Sequence, residues 1–198
     1  MKKMTTIALA ALMAAAMGRS ARAGELDLAL GLDGSQSSWE EDTHVSHGTF
    51  KAGYRFFRPW FQLTWLSKLG YATVDERFLT YLSLGVELRP DWFARARPYA
   101  RASVVHQHEE PVVAFENQPF QSAIGVGDGL RHRGGGAVAG GIELPFSDHH
   151  KGDWYASFEL SSTYFPDDRG PHSYYSAALA IGMKWDFDRP SAGAADAR

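Results

Sequence analysis

The chain contains no cysteine. Disulfide stapling is therefore excluded, as is a lipid anchor attached through a thiol. A basic excess is also missing: 20 Lys and Arg stand against 23 Asp and Glu, a formal charge of −3. Nucleic-acid binding calls for a basic footprint, and this composition has none. Beyond the N-terminus no apolar run approaches the roughly 20 residues that a transmembrane helix needs. Nor does any later segment space its apolar residues at a helical period.

The apolar stretch that does exist lies at the start. Lys2 and Lys3 precede the run from Ile7 to Met17, and Ala21-Arg22-Ala23 has the small-x-small form of a cleavage site. Residues 1–23 read as a secretory signal peptide, routed through the Sec pathway. Without them 175 residues remain, carrying 16 basic and 23 acidic side chains for a formal charge of −7. That is one domain of ordinary size. A hydropathy profile would class it as soluble, but such profiles barely register membrane barrels.

What fills this domain is two-residue alternation. Tyr175, Ala177, Leu179, Ile181, Met183, Trp185 and Phe187 interleave with Tyr174, Ser176, Ala178, Ala180, Gly182, Lys184 and Asp186. Successive strand side chains point to opposite faces, so this is one strand with a bulky apolar face and a small or charged one. The same division opens the domain, where Leu26, Leu28, Leu30 and Leu32 alternate with Asp27, Ala29, Gly31 and Asp33. It recurs around Ala52–Phe56, Phe61–Trp65, Leu82–Leu88, Pro98–Val104, Val138–Leu144 and Ala156–Tyr164. The sum is eight strands in an antiparallel up-and-down meander, an even number suited to a closed barrel with both termini on one side.

Connection lengths agree with this parity. Taking the N-terminus as periplasmic, the external connections are residues 34–44, 69–77, 108–131 and 166–172. The turns at 58–59, 89–92 and 147–153 are shorter, as periplasmic turns of membrane barrels are. A soluble ligand-carrying barrel would bury its apolar face instead. Side-chain size decides against it, because an eight-strand interior is only wide enough for side chains to fill, and the face of Gly, Ala and Ser fits there. Trp60, Phe61, Trp92, Phe93, Phe146, Trp154, Tyr164, Phe165, Tyr174, Tyr175, Trp185 and Phe187 gather near strand ends, as an aromatic girdle would. The apolar face is expected to look outward, into lipid.

On this pattern, residues 24–187 resemble the small eight-stranded bacterial outer-membrane barrels of the OmpA/OmpX/OmpW kind. The resemblance implies a transmembrane β-barrel in the outer membrane of a Gram-negative envelope, with periplasmic termini. It also implies that Met183, Trp185 and Phe187 form the terminal aromatic signal read by the barrel-assembly machinery. In the family that signal usually closes the chain. Here residues 188–198, "DRPSAGAADAR", follow as a small polar periplasmic tail, expected to be disordered and too short for a peptidoglycan-binding domain.

Three constellations remain. The first is a set of charges on the small face, expected to pair across the lumen and occlude it: Asp27, Lys51, Arg55, Glu87, Arg101, Glu143, Glu159, Lys184 and Asp186. The second is the histidines. His44, His47, His106, His108, His132 and His172 fall near the external rim, where wetted polar side chains are the expected reading. His106 and His108 share a strand face at a usable ligand spacing, but no other ligand can be fixed from sequence, so no metal or cofactor is assigned. The third is the connection 108–131, whose Val112, Val113, Phe115, Phe120 and Ile124 are apolar for an exposed segment. Either they contact a partner or the loop merely extends a hairpin above the membrane. The Gly125-x-Gly127-x-Gly129 run has no strand–helix context and is not a nucleotide fingerprint.

The functional expectation is a non-enzymatic barrel whose loop 108–131 meets an envelope protein or lipopolysaccharide. The alternatives are a lipid A-modifying enzyme or a narrow solute channel. The deacylase family of such enzymes uses a His-x-Ser-Asn strand motif, whereas His132 continues Arg133-Gly134-Gly135 and lacks the serine.

Overall fold

The computed structural model describes residues 24–37, 44–58, 60–72, 76–90, 96–123, 129–149 and 152–187. The signal-peptide and tail segments lie outside them, as do Trp92, Phe93 and Ile124. Eight strands appear in chain order: β1 Glu25–Ser37, β2 His44–Arg58, β3 Phe61–Ala72, β4 Arg77–Leu88, β5 Arg97–Pro111, β6 Arg131–His149, β7 Gly152–Tyr164 and β8 Ser173–Asp186. Each pairs antiparallel with its sequence neighbours, and β1 pairs with β8 to close the barrel. Leu28 thus stands between Ala52 on β2 and Met183 on β8.

Alternation becomes a wall with two faces. Val104 is 68% exposed and Leu179 65% exposed, and Leu30, Leu32, Leu84, Leu160 and Ile181 join them on the outside. An exposed apolar surface this extensive marks a contact face for a membrane or a protein. Irregularities sit toward the shorter connections, between Tyr54 and Arg58 and between Pro145 and Ser147. Proline has no N–H to give the ladder, so a bulge at Pro145 is where the strand tolerates it.

The interior is less uniform than the sequence suggests. Tyr81, Tyr99, Tyr155 and Tyr174 point inward and are buried. They fit because glycine faces two of them: a Cβ on Gly182 would lie 2.3 Å from the Tyr155 ring, and one on Gly141 would lie 2.5 Å from that of Tyr99. Val45, Leu66, Leu79 and Val105 pack with Tyr81, Tyr174 and Phe165 into an apolar cluster inside the barrel. Tyr174 and Phe165, expected in the girdle, therefore belong to the interior. Trp60, Phe146, Trp154, Tyr164, Tyr175 and Phe187 do stand exposed on the outer wall.

The long connection also differs from expectation. β5 runs on to Pro111, and two short helices follow, α1 Val112–Asn117 and α2 Pro119–Ala123. Neither is an extended hairpin. Pro119 opens α2 and Pro111 caps α1, positions where the missing N–H and fixed φ of proline cost nothing. The Val112 N–H donates to the Glu76 carbonyl (2.9 Å), which seats α1 against the β3–β4 connection.

Candidate functional site

The inward side chains form three tiers. In the first, toward the termini, Arg89 is the hub: its guanidinium donates to Glu143 (2.7 Å), to Asp27 (2.8 Å) and to Glu87. Lys51 lies 3.3 Å from Asp27 and 3.7 Å from Glu143, and Lys184 donates to Glu143. Arg101 extends the tier to Glu159 (2.5 Å) and Glu87 (3.5 Å). Neutral donors complete it: Gln62 (3.0 Å) and the Tyr155 hydroxyl (2.5 Å) to Asp27, and the Tyr99 hydroxyl to Glu159 (2.9 Å). The ammonium of Lys184 rests 4.7 Å from the Tyr155 ring centre. Four carboxylates thus meet four cations, all buried, so the tier carries no net charge.

The second tier is centred on Asp33, which accepts from Lys68, from Ser35 (2.8 Å) and from His47 (3.3 Å). A cavity of about 30 Å³, lined by Lys51, Lys68, Tyr99, Arg101 and Glu159 among others, separates it from the first. That volume holds only a few waters. A second cavity of about 10 Å³ lies beside His47 and Gln107.

The third tier lies toward the far end. Arg133, with 0% exposure, donates to Glu109 (3.0 Å), Asp167 (3.0 Å) and the Pro171 carbonyl (2.9 Å). Its guanidinium stacks 4.4 Å from the Phe165 ring centre. Asp167 sits in the β7–β8 connection. Its slight burial works against ionisation, but the Arg169 N–H and the Arg133 guanidinium prevail and hold its carboxyl below the usual range.

Seven of the nine charges read from sequence meet in the first tier. Arg55 does not: it pairs with Glu25 (2.8 Å) at the half-exposed rim. Asp186 is exposed at the end of β8, opposite Glu25, rather than inside. Sequence reasoning passed over Arg89 because it read the residue as turn. Arg133 lies ahead of the alternation that starts at Ala137, and that alternation carried back four residues points it inward. Lys68, Gln62 and Asp33 lie on the inward face that the alternation marks and add two charges and an amide to the expected set.

The histidines separate. His47 is buried in the lumen on Asp33 and is not a wetted rim residue. His172 is half-exposed, with Nδ1 3.1 Å from the Phe165 carbonyl. His106, His108 and His132 converge on the outer wall, where His132 lies directly opposite His108 in register. Their ring centres are 4.6 to 5.6 Å apart, and His106 Nε2 and His108 Nε2 are 2.7 Å apart. Of the loop candidates, Val112 is half-buried, Val113 is 67% exposed and Phe120 is 87% exposed. The side chains of Phe115 and Ile124 lie outside the described residues. At the barrel seam, Met183 pairs with Leu28 and Trp185 with Leu26, while the Phe187 N–H donates to the Gly24 carbonyl (3.2 Å).

No protein-family model matches this chain, and no curated protein matches it either. Solved structures do. Neisserial surface protein A is similar over 85% of this chain and 100% of its own, with a TM-score of 0.56 at 15% identity. The N-terminal β-barrel domain of OprF from Pseudomonas aeruginosa is similar over 84% and 100%, with a TM-score of 0.54 at 12% identity. The fold is that of the small eight-stranded outer-membrane barrels.

Proposed function

We propose that this chain is a non-enzymatic integral protein of the bacterial outer membrane that acts through its external loops, while its lumen serves as a structural plug. The observation that carries this reading is the division of one sheet between two environments. The outer face is apolar and its interior counterpart is a neutral lattice of buried ion pairs that crosses the barrel at three levels. Lipid is the surrounding that makes the first face stable, and cross-lumen pairing is what makes the second one tolerable. The two cavities are too small for a solute path.

With the lumen filled, chemistry available to partners is at the rim. The helices α1 and α2 present Val113 and Phe120 to the outside, above the strands, on a connection longer than barrel turns require. Two exposed apolar anchors on short helices suit a protein partner in the envelope, with lipopolysaccharide as the competing occupant. The termini then face the periplasm, and Met183, Trp185 and Phe187 close the barrel where the assembly machinery reads an aromatic final strand.

Affinity purification from native outer membranes in mild detergent tests this. The wild-type chain is expected to bring a stoichiometric protein that a Val113→Ser, Phe120→Ser double variant loses. Both residues are exposed, so the variant keeps the barrel. A lone barrel in both preparations would overturn the docking role, and recovery in the soluble fraction would overturn the membrane assignment.

A further inference from the structure

The plug and the loop leave one cluster unused. We infer that His106, His108 and His132 form a binding site for a single divalent ion of the zinc or copper(II) class, on the outer wall of β5 and β6. The placement follows from strand geometry. His106 and His108 are two apart on β5 and share its outer face, and His132 is the cross-strand partner of His108. One ring nitrogen from each lies within 4.8 Å of the others. The His106 and His108 Nε2 atoms are 2.7 Å apart, and His132 Nδ1 is 3.5 Å from His106 Nε2.

An ion held at roughly 2.0–2.1 Å from each nitrogen would set those nitrogens about 3.3 Å apart in tetrahedral geometry. Two of the spacings bracket that value, and ring rotation closes the remaining one, which is no wider than 4.8 Å. Space exists for the ion: Gly134 stands opposite His106 in register, and even a Cβ there would meet nothing within 4 Å. Three imidazoles leave a fourth position open toward the outside, for water or an anionic oxygen.

The surroundings favour a cation over three bare rings. Neutral imidazole nitrogen is the ligating form, and each of the three rings offers one toward the same point. Arg131 is paired with Glu109 (3.8 Å), and Arg169, which donates to the His132 carbonyl (3.2 Å), is exposed and screened. Glu110, two residues further along the same face of β5, is buried with one carboxylate oxygen that has no hydrogen-bond partner. His108 Nδ1 is likewise buried and without a partner. A metal-bound imidazole needs an acceptor for its second nitrogen, and both halves of such a pair are present on this face.

The test uses the full-length protein purified without a histidine tag, stripped with chelator, and titrated with zinc and with copper(II) by calorimetry. One ion per chain is expected at micromolar concentrations or tighter. His106→Ala, His108→Ala and His132→Ala should each weaken binding about tenfold or more, while His172→Ala leaves it unchanged. Copper(II) should show nitrogen hyperfine coupling in its paramagnetic resonance spectrum. These rings face outward, so the variants keep their heat-modifiable barrel mobility, which reports folding independently. No saturable binding, or binding that survives all three substitutions in a folded barrel, would overturn the site.

Discussion

Arg89 shows how much of the interior depends on single side chains. It holds three carboxylates, Asp27, Glu87 and Glu143, and its own exposure is 4%. Removing it leaves those charges with Lys51, Lys184 and Arg101 alone. Uncompensated buried charge is costly, so Arg89→Ala should destabilise the barrel by about 3–5 kcal/mol. Urea unfolding in lipid vesicles measures this, and a change below about 1 kcal/mol, the scale of an exposed pair, would contradict the hub assignment. The residue was illegible in sequence because it follows Leu88 immediately, where a turn signal, Arg-Pro-Asp, outweighs strand parity. Alternation names the face of a residue but not which partner on which strand it meets. Asp27, Glu87 and Glu143 were legible as inward; that they share one guanidinium was not.

At the scale of elements, the connection between β7 and β8 is tied down by Arg133 through Asp167 and the Pro171 carbonyl. The Asp167 carboxyl is held below its ordinary value, so its tether contributes stability above the ordinary aspartate range. That contribution is lost as pH falls through the lowered value. Residues 165–172 should therefore resist proteolysis through the ordinary aspartate range, below about pH 4, and become cleavable by pepsin only at lower pH. Asp167→Asn should be cleaved at every pH tested; equal protection in both proteins would remove Asp167 from the closure. The strands were legible because a bulky apolar outer face and a narrow lumen inside impose a strict two-residue period. The helices α1 and α2 were not, because each is shorter than two turns, leaving no room for a helical period to register. Only Pro111 and Pro119 mark their starts.

For the whole molecule, the outward apolar face is the feature that decides its environment. Leu179 lies midway along β8 and is 65% exposed. If lipid covers it, Leu179→Arg should cost about 2–4 kcal/mol of stability in bilayers, the cost of an arginine near a membrane midplane. A neutral effect would mean that this face meets water. The histidines divide along the same wall. His47 falls inside and His106, His108 and His132 outside, as strand parity dictates, but the meeting of His132 with the other two required the register of β5 against β6. Sequence supplied the pair His106 and His108; the pairing of β5 with β6 supplied the third.

The measurement that bears most directly on the proposed plug is conductance of the refolded, full-length protein in a planar bilayer. Three tiers of buried ion pairs, with cavities of about 30 and 10 Å³ between them, predict a silent membrane, with no stable current steps at neutral pH. Large, long-lived steps from a homogeneous preparation would contradict it, and would make the lattice around Arg89 the lining of a pore.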